Sequence, residues 1–276
     1  MKTTIKLVSS DLNGTLVHQH TMSDMIRLYV GQQQFEKANE VFKKQTSGTA
    51  SMEEAFQNAG PLTKGLTLRQ AIEYTKTHMI YVNGFKEFVN SLSKQKIPFV
   101  INSTGYSVTI YAIREQIGTE KIHGKIGNFL RFGMNGSESE SLSERELESK
   151  VRDYFSNPES SRNTIYDSVQ ATGVIDLGII DEQAKAKLIQ EYVKANFKDI
   201  QTSEIVHMGD TMGDSGGIYG VAESGGIGIA FNYNLALQQF LEKKISENPS
   251  LKERILFVNA KSETSDLRQI LSLLSI

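Results

Sequence analysis

A short acidic motif, Asp11-Leu-Asn-Gly-Thr15, directly follows the apolar run Ile5 to Val8. The run predicts a buried strand, so the Asp11 carboxylate would lie at the strand's tip, where it is able to act as a nucleophile. An acid two residues further on would be placed to move protons, but that position holds Asn13, whose amide cannot do so at neutral pH. The motif therefore predicts a nucleophilic site without a proton carrier at position 13.

Three further segments carry residues suited to anion or metal chemistry. They supply a hydroxyl, a pair of carboxylates and two lysines, and they read Asn102-Ser-Thr-Gly-Tyr106, Gly209-Asp-Thr-Met-Gly-Asp214 and Gln183-Ala-Lys-Ala-Lys187. Each has an ordinary structural explanation on its own, as a turn, a helix cap or a solvated helix face. Their joint order favours a functional site, because two of them follow predicted strands and the third opens a predicted helix.

Short apolar runs alternate with amphipathic helical stretches along most of the chain. The runs predict strands at Ile5 to Ser9, Ile97 to Ser103, Glu204 to Gly209, Ile227 to Phe231 and Ile255 to Val258. The stretches predict helices at Gly84 to Gln95, Ser107 to Gly118, Asp181 to Phe197, Leu235 to Asn248 and Ser265 to Leu274. This alternation predicts an α/β fold, a doubly wound parallel sheet whose ligands bind beyond the carboxyl ends of the strands.

Two insertions interrupt this core, which we expect to comprise residues 1–17 and 82–276. Residues 18–81 contain helical patterns without a convincing strand, broken at Gly48 and Gly60, and they predict a helical cap. Residues 134–163 are polar and serine-rich and lie between predicted strands at 125–132 and 173–180. They predict an exposed helix or a flexible excursion.

Composition excludes several functional classes. The 276 residues carry 30 basic and 32 acidic side chains without a broad basic run, so nucleic acid is not expected as a partner. Cysteine is absent, which excludes disulfides, thiolate metal sites and thiol nucleophiles. No signal peptide precedes the first predicted strand, and no uncharged apolar run reaches membrane-spanning length. We therefore expect a cytoplasmic protein that does not bind a membrane.

The four motifs together resemble those of the haloacid dehalogenase (HAD) superfamily, and within it the phosphoserine-phosphatase-like branch. The resemblance covers nearly the whole chain, including Gly228-Ile-Ala-Phe231 and Ser265-Asp-Leu-Arg-Gln-Ile-Leu271 near its end. It implies a Rossmann-like HAD core with an inserted helical cap. It also implies a phosphatase that acts on a small phosphorylated metabolite as a monomer or homodimer. The insertion at 134–163 is longer than the usual connection in these enzymes.

The resemblance implies a role for each motif. Asp11 would attack phosphorus and form an aspartyl-phosphate, while phosphoryl oxygens would be bound by Ser103, Thr104, Gly105 and Lys185. Lys185 is preferred to Lys187 because its spacing before the helix fits better. Mg²⁺ would be held by oxygen atoms of Asp11, Asp210 and the backbone carbonyl of Asn13, and Asp214 would bind it directly or hold one of its ligands.

Asn13 departs from the pattern, which has an aspartate as general acid and base there. Metal and phosphate binding should persist, whereas hydrolysis should be slow, because such proton transfer is typically worth about 10²–10⁴-fold in rate. Asn13 fits an engineered trap, a native weak enzyme or a non-hydrolytic relative. A binding or regulatory protein that has lost turnover is therefore an alternative function.

The substrate is less well defined by the resemblance. Phosphoserine-specific enzymes use a glutamate and an arginine of the cap to bind the serine, and the matching positions here are His20 and Gln57. Neither supplies the required charge, so phosphoserine is disfavoured. His18 and His20 are candidates for the missing proton role.

Two other reactions of the superfamily fit the sequence less well. Carbon–phosphorus cleavage would need a cap lysine for an imine, with Lys43, Lys44 and Lys64 as candidates. Dehalogenation is disfavoured, because Asp210 and Asp214 indicate a metal that such enzymes do not need.

Overall fold

The computed structural model describes residues 4–46, 49–261 and 264–276. Over these residues the chain forms one seven-stranded sheet in the order β4-β3-β2-β1-β5-β6-β7. The strands are β1 (Leu7–Ser10), β2 (Phe99–Tyr106), β3 (Gly124–Met134), β4 (Val169–Asp176), β5 (Ile205–Gly209), β6 (Ile227–Tyr233) and β7 (Ile255–Ala260). All neighbours pair in parallel except β3 and β4. The α/β prediction is confirmed, with an antiparallel strand at one edge.

The bounds of β4 correct the predicted strand at 173–180. The strand begins earlier, because Val169 pairs with Met134 across an antiparallel ladder. It ends earlier because the side-chain oxygen of Asn128 accepts hydrogen bonds from the backbone N–H groups of Gly178 and Ile179, each at 3.1 Å. These two N–H groups are satisfied outside the sheet, so the chain leaves it before residue 177.

Helices are numbered along the described chain. They are α1 (Thr21–Met25), α2 (Gln32–Thr46), α3 (Met52–Ala59), α4 (Leu68–Thr77), α5 (Phe85–Lys94), α6 (Ser107–Ile117), α7 (Glu144–Ser156), α8 (Ile165–Ser168), α9 (Ala184–Asn196), α10 (Ser215–Glu223), α11 (Leu235–Glu247) and α12 (Arg268–Leu274). The sheet buries apolar side chains against α5, α6 and α12 on one face and against α9, α10 and α11 on the other. None of the described helices is long and apolar enough to cross a membrane.

The helix α10 was missed in the sequence. Its residues, Ser-Gly-Gly-Ile-Tyr-Gly-Val-Ala-Glu, include three glycines, which are poor helix formers in isolation. Close packing explains two of them. A Cβ at Gly216 would collide with the backbone of Glu182, and one at Gly217 would collide with the ring of His207. Tertiary packing therefore overrides a weak local preference.

The described part of residues 18–81, which we call the helical segment, is largely helical, as predicted. Besides α1 to α4 it contains a π-helical turn, Ile26–Val30, and a 3₁₀ turn, Gly60–Thr63. The chain enters and leaves this segment side by side, since the N–H of His18 donates to Ile80 and the N–H of Val82 donates to Leu16, both at 2.9 Å. Its boundaries as a separate cap domain stay a prediction. The predicted break at Gly48 lies outside the described residues.

The second insertion is more ordered than predicted. Its charged run forms α7, which Ser143 and Glu146 start with a reciprocal capping box. One face of α7 is buried through Leu147, Val151 and Tyr154, which join the apolar core that α6 and the helical segment share. The prediction of a wholly exposed helix or a flexible excursion is therefore wrong, because the apolar side chains recur on one face of α7.

Arg69 joins α4 to this second insertion. Its guanidinium forms an ion pair with Asp167 at 2.7 Å and donates hydrogen bonds to the backbone oxygens of Ser161 and Asn163. The neighbouring Tyr154 hydroxyl donates to Glu73 at 2.7 Å. A planar guanidinium suits such a multiple contact better than an ammonium. The contacts hold the end of the helical segment against the core.

We expect Arg69→Ala to lower the free energy of unfolding by about 1–3 kcal/mol, since hydrogen bonds of a charged group to two carbonyls and a carboxylate are lost. Urea unfolding followed by circular dichroism measures this change. Arg145→Ala is the matched control, because Arg145 is exposed on α7, and it should change stability by less than about 0.5 kcal/mol. Equal effects of the two substitutions would contradict a specific role for Arg69.

Candidate active site

Asp11 lies directly beyond the carboxyl end of the central strand β1. Its N–H donates to the carbonyl of Met208 on β5 at 2.9 Å, so the strand pairing continues into the loop and fixes its direction. Gly14 has a φ of 80°, and a Cβ there would collide with the carboxylate of Asp210. Glycine is therefore required for the loop to turn close to a second acidic residue.

Three carboxylates meet at this edge of the sheet. Oxygen atoms of Asp11, Asp210 and Asp214 lie within 4.8 Å of one another, and all three residues are buried. Oδ2 of Asp214 accepts hydrogen bonds from the N–H groups of Asp210 and Thr211 at 3.1 and 3.2 Å. The loop after β5 therefore fixes Asp214 through its own backbone and brings Asp210 beside it.

Lys185 reaches this cluster from the first turn of α9. Its Nζ lies 3.0 Å from Asp11 Oδ1 and 2.5 Å from Asp214 Oδ1, and its side chain is 2% exposed. Lys187 points elsewhere, since its side chain is 78% exposed and pairs with Glu191 at 3.6 Å. Of the two lysines that the sequence offered, the structure brings only Lys185 to the carboxylates.

The cluster holds more negative charge than its lysine neutralises. Burial raises the pKa of Asp11 to about 6, against the opposing effect of Lys185. Burial and the neighbouring Asp214 and Asp11 raise the pKa of Asp210 well above its ordinary value. For Lys185, burial favours the neutral form, but Asp11 and Asp214 outweigh it and raise the pKa. Three carboxylate groups facing one ammonium group form a donor set that fits a hard divalent cation such as Mg²⁺.

The carboxyl-terminal half of β2 places a hydroxyl beside Asp11. Ser103 is fully buried, and its Oγ accepts a hydrogen bond from the N–H of Gly105 at 3.1 Å. Its hydrogen bond with Asp11 favours the charged carboxylate and so opposes part of the rise in the pKa of Asp11 that burial causes. The side chain of Asn128 donates to the carbonyl of Thr104 at 3.2 Å and holds this segment in place. Thr104 lines the cavity above the carboxylates.

Asn13 joins the site to the helical segment. Its Oδ1 accepts a hydrogen bond from the N–H of Thr21, the first residue of α1, at 2.9 Å. This hydrogen bond uses one lone pair of the amide oxygen, and the NH₂ group remains as a hydrogen-bond donor for a ligand. Asn13 also lines the cavity. Its geometry suits holding an anionic oxygen, and its chemistry does not allow proton transfer.

The histidines lie at the rim of the cavity. His20 precedes α1 and its Nδ1 lies 2.9 Å from the hydroxyl of Ser23, while its ring packs 4.8 Å from that of Phe42. Loss of solvation around the ring, and secondarily the charge of Lys261, lower the pKa of His20 to about 4, although part of the residue is exposed at the rim. His18 also lines the cavity and is exposed.

The cavity above the carboxylates has a volume of about 260 Å³. Gln57, a predicted substrate contact, does not line it, because this side chain is exposed on α3 and donates to Glu53 at 3.1 Å. Met52 and Phe56, from the same helix, line the cavity instead. Gln57 points away from the cavity because successive side chains of a helix are rotated by about 100° around its axis, so Gln57 and its neighbour Phe56 lie on different faces of α3.

Lys261 is a site residue that was missed in the sequence. Its Nζ lies 3.9 Å from Asp210 Oδ2, and the residue lines the cavity. It follows Ala260, the last residue of β7. Its position directly beyond the carboxyl end of β7 is the sequence signal that indicates Lys261, because ligands bind beyond the carboxyl ends of parallel strands.

Metal binding should couple to the protonation of these carboxylates. Because the pKa of Asp11 is raised to about 6 and that of Asp210 is raised as well, Mg²⁺ must displace protons at acidic pH. We expect the increase in Tm on adding Mg²⁺ to metal-free protein to be large at pH 7.5 and small at pH 5, as measured by thermal unfolding in Mg²⁺ and in EDTA.

Because the Tm in Mg²⁺ is compared with the Tm in EDTA at the same pH, the effect of histidine protonation on Tm is present in both values and cancels. Asp210→Asn should abolish the increase in Tm at pH 7.5. It should also raise the Tm of the metal-free protein at this pH. The pKa of Asp210 is raised in the folded state, so the folded protein loses stability as pH rises above the ordinary pKa of an aspartate, and an asparagine removes this loss. An increase in Tm of the same size at both pH values would argue against a site made of these carboxylates.

No protein-family model matches this sequence, and no curated protein matches it. Solved structures do share its fold. A substrate-bound phosphoserine phosphatase has 18% identity and a TM-score of 0.65 over 98% of each chain. A phosphoserine phosphatase solved as a phospho-aspartyl intermediate analogue has 19% identity and a TM-score of 0.63, over 98% of this chain and 99% of that one.

A cytosolic 5'-nucleotidase IIIB bound to cytidine is also similar, with 16% identity and a TM-score of 0.56 over 98% of this chain and 83% of its own. The chain therefore shares the fold of these solved structures, which confirms the fold that the sequence resemblance implies. Identities this low establish the fold alone, because one fold hosts many functions.

Proposed function

We propose that this protein is a Mg²⁺-dependent phosphomonoesterase that acts through an aspartyl-phosphate on Asp11. The observation that carries the proposal is the position of Asp11 at the carboxyl end of the central strand, 3.0 Å from the ammonium of Lys185 and within 4.8 Å of two further carboxylates. The fold shared with phosphatases supports the same conclusion. A buried carboxylate beside a fixed cation is suited to attack an electrophile that itself carries negative charge.

In the first step an oxygen of Asp11 forms a bond to phosphorus as the bond from phosphorus to the leaving oxygen breaks. Lys185 and the hydroxyl of Ser103 bind phosphoryl oxygens, and the NH₂ group of Asn13 holds an oxygen nearby. In the second step water attacks phosphorus, releases inorganic phosphate and restores the Asp11 carboxylate. Positioning and charge stabilisation supply most of the catalysis in such transfers.

The metal would be held by Asp11, Asp210 and Asp214, together with the backbone carbonyl of Asn13. When bound, Mg²⁺ supplies positive charge that offsets the negative charge of the phosphoryl oxygens. The excess of carboxylates over cations in the cluster supports this assignment.

Asn13 affects the two steps differently. An alkoxide leaving group needs a proton in the first step, and the attacking water must lose one in the second, so an amide at this position slows both. A leaving group that is stable as an anion needs no proton, so with such a substrate only the second step remains slow. The phosphorylated form of Asp11 should then accumulate.

A binding or regulatory role is the second candidate. It is favoured by the hydrogen bond from Thr21 to Asn13, which uses the side chain to hold the start of α1 rather than to exchange protons. Carbon–phosphorus cleavage receives less support, because Lys43, Lys44 and Lys64 do not line the cavity of the described structure. The acidic cluster likewise argues against dehalogenation.

The test is a p-nitrophenyl phosphate experiment with the unmodified chain and Mg²⁺. We expect a burst of nitrophenolate that approaches one equivalent, followed by slow turnover, and a mass increase of one phosphoryl group in the intact protein. Asp11→Asn should show neither result. Absence of both the burst and the adduct, with Mg²⁺ bound, would favour the binding role.

A further inference from the structure

We propose that the leaving group of the substrate is a small, uncharged, hydroxyl-bearing carbon skeleton with one apolar face, as in a phosphorylated polyol of three or four carbons. This inference rests on the proposed phosphatase function and adds the class of substrate to it. It depends on the residues that cover the cavity opposite the carboxylates, which we call the roof. The roof residues are His18, Gln19, His20, Gln45, Met52 and Phe56.

Among the described residues, the roof contains no aspartate, glutamate, lysine or arginine. The charged side chains that line the cavity all come from the core, and they are Asp11, Asp210, Asp214, Lys185 and Lys261. Lys261 already lies 3.9 Å from the carboxylate of Asp210. A carboxylate or ammonium under the roof would therefore lose water without gaining an opposite charge, which is strongly unfavourable.

One side of the roof is a fixed apolar surface. Met52 and Phe56 are 5% and 3% exposed, so little of either side chain is free to move away. The ring of Phe56 packs edge-on against Phe42 at 5.9 Å, and Phe42 packs against His20 at 4.8 Å. These contacts hold Phe56 in place, and its exposed edge can contact the C–H face of a carbon skeleton.

The polar groups of the roof provide few hydrogen bonds. The side chain of Gln19 is used by the backbone, since its Nε2 donates to the carbonyl of His78 at 2.5 Å and its Oε1 accepts from the N–H of Ile80 at 3.0 Å. Nδ1 of His20 lies 2.9 Å from the hydroxyl of Ser23, so Nε2 is the ring nitrogen that remains for a ligand. Gln45 offers both a donor and an acceptor, a set that suits hydroxyl groups.

The volume limits the size of the leaving group. At about 260 Å³ the cavity lies below the roughly 300–1,000 Å³ that is usual for drug-sized ligands. It must also hold the phosphoryl group and the metal. A skeleton of a few carbon atoms fits the remaining space.

Four phosphomonoesters of similar size separate the charge classes. They are glycerol 3-phosphate, phosphoethanolamine, 3-phosphoglycerate and phosphoserine, whose leaving groups are neutral, cationic, anionic and zwitterionic. We expect glycerol 3-phosphate to bind the unmodified chain in Mg²⁺ roughly tenfold or more tightly than the other three, as measured by calorimetry. In Asn13→Asp the same order should appear in kcat/KM. Tighter binding of any charged ester would overturn the proposal.

A variant pair tests the roof itself. Gln45→Arg places a cation at a position that lines the cavity, whereas Gln57→Arg places the same residue on the exposed surface of α3. The first should move the preference toward 3-phosphoglycerate by roughly tenfold, and the second should leave the order unchanged. Equal effects of the two would show that the charge of the roof does not select the leaving group.

The two proposals fail in different ways. Binding in the expected order without an aspartyl-phosphate adduct would refute the phosphatase and retain the roof as the selective surface. An adduct with p-nitrophenyl phosphate, combined with tighter binding of a charged ester, would retain the phosphatase and refute the neutral leaving group. Absence of Mg²⁺-dependent binding by all four esters would refute the neutral leaving group, and if the adduct were absent as well, both proposals would be refuted.

Discussion

Restoring an acid at position 13 is expected to raise steady-state hydrolysis of phosphomonoesters by about 10²–10⁴-fold, the usual contribution of general acid and base catalysis. Asn13→Asp changes one NH₂ group to a carboxyl oxygen, and the hydrogen bond that Thr21 donates at 2.9 Å can be retained. The gain should be larger for esters with poor leaving groups, because these need a proton in the first step. Steady-state kinetics with Mg²⁺ and a pH profile measure both effects.

The control is Asp11→Asn, alone and combined with Asn13→Asp. Both proteins should be inactive, since without the nucleophile the restored acid has no reaction to assist. An unmodified chain that turns over as fast as Asn13→Asp would show that another group carries the proton. His20 would then be tested first, although its lowered pKa of about 4 makes it a weak base.

Removing the cation from the cluster is expected to have the second largest effect. In the Asn13→Asp background, Lys185→Met should lower kcat/KM by roughly 10³-fold, because it removes a fixed positive charge from the phosphoryl oxygens. Without metal the same change should cost about 3–5 kcal/mol in folding free energy, since Asp11 and Asp214 lose the buried ammonium that lies between them. Mg²⁺ should recover part of that loss, and unfolding in EDTA and in Mg²⁺ measures how much.

Lys187→Met is the matched control two residues away on the same helix. Its side chain is 78% exposed, so activity should stay within about twofold and stability within about 0.5 kcal/mol. If Lys187→Met reduced activity as strongly as Lys185→Met, then the orientation of α9 that this structure shows would not be the one that operates in catalysis.

Local patterns in the sequence were sufficient to predict that the core residues of the site lie close together. Asp11, Ser103 and Asp210 each follow a short apolar run, and the carboxyl ends of parallel strands meet at one edge of a sheet, so their proximity follows from the strand assignments alone. The resemblance to the HAD superfamily favoured Lys185 over Lys187, and in the structure Lys185 contacts the carboxylates whereas Lys187 is exposed. The loss of a proton carrier at Asn13 is a property of the residue type and needs no structure.

Tertiary packing decided the rest. The antiparallel edge strand β4 and the buried face of α7 depend on contacts between segments far apart in sequence, as does the junction at Arg69, which pairs with Asp167 across 98 residues. The roof depends on the rotation and placement of α3, and these turn Met52 and Phe56 inward and leave Gln57 in solvent. A sequence encodes which side chains a helix carries, but the direction in which each one points into a cavity is set by how that helix packs.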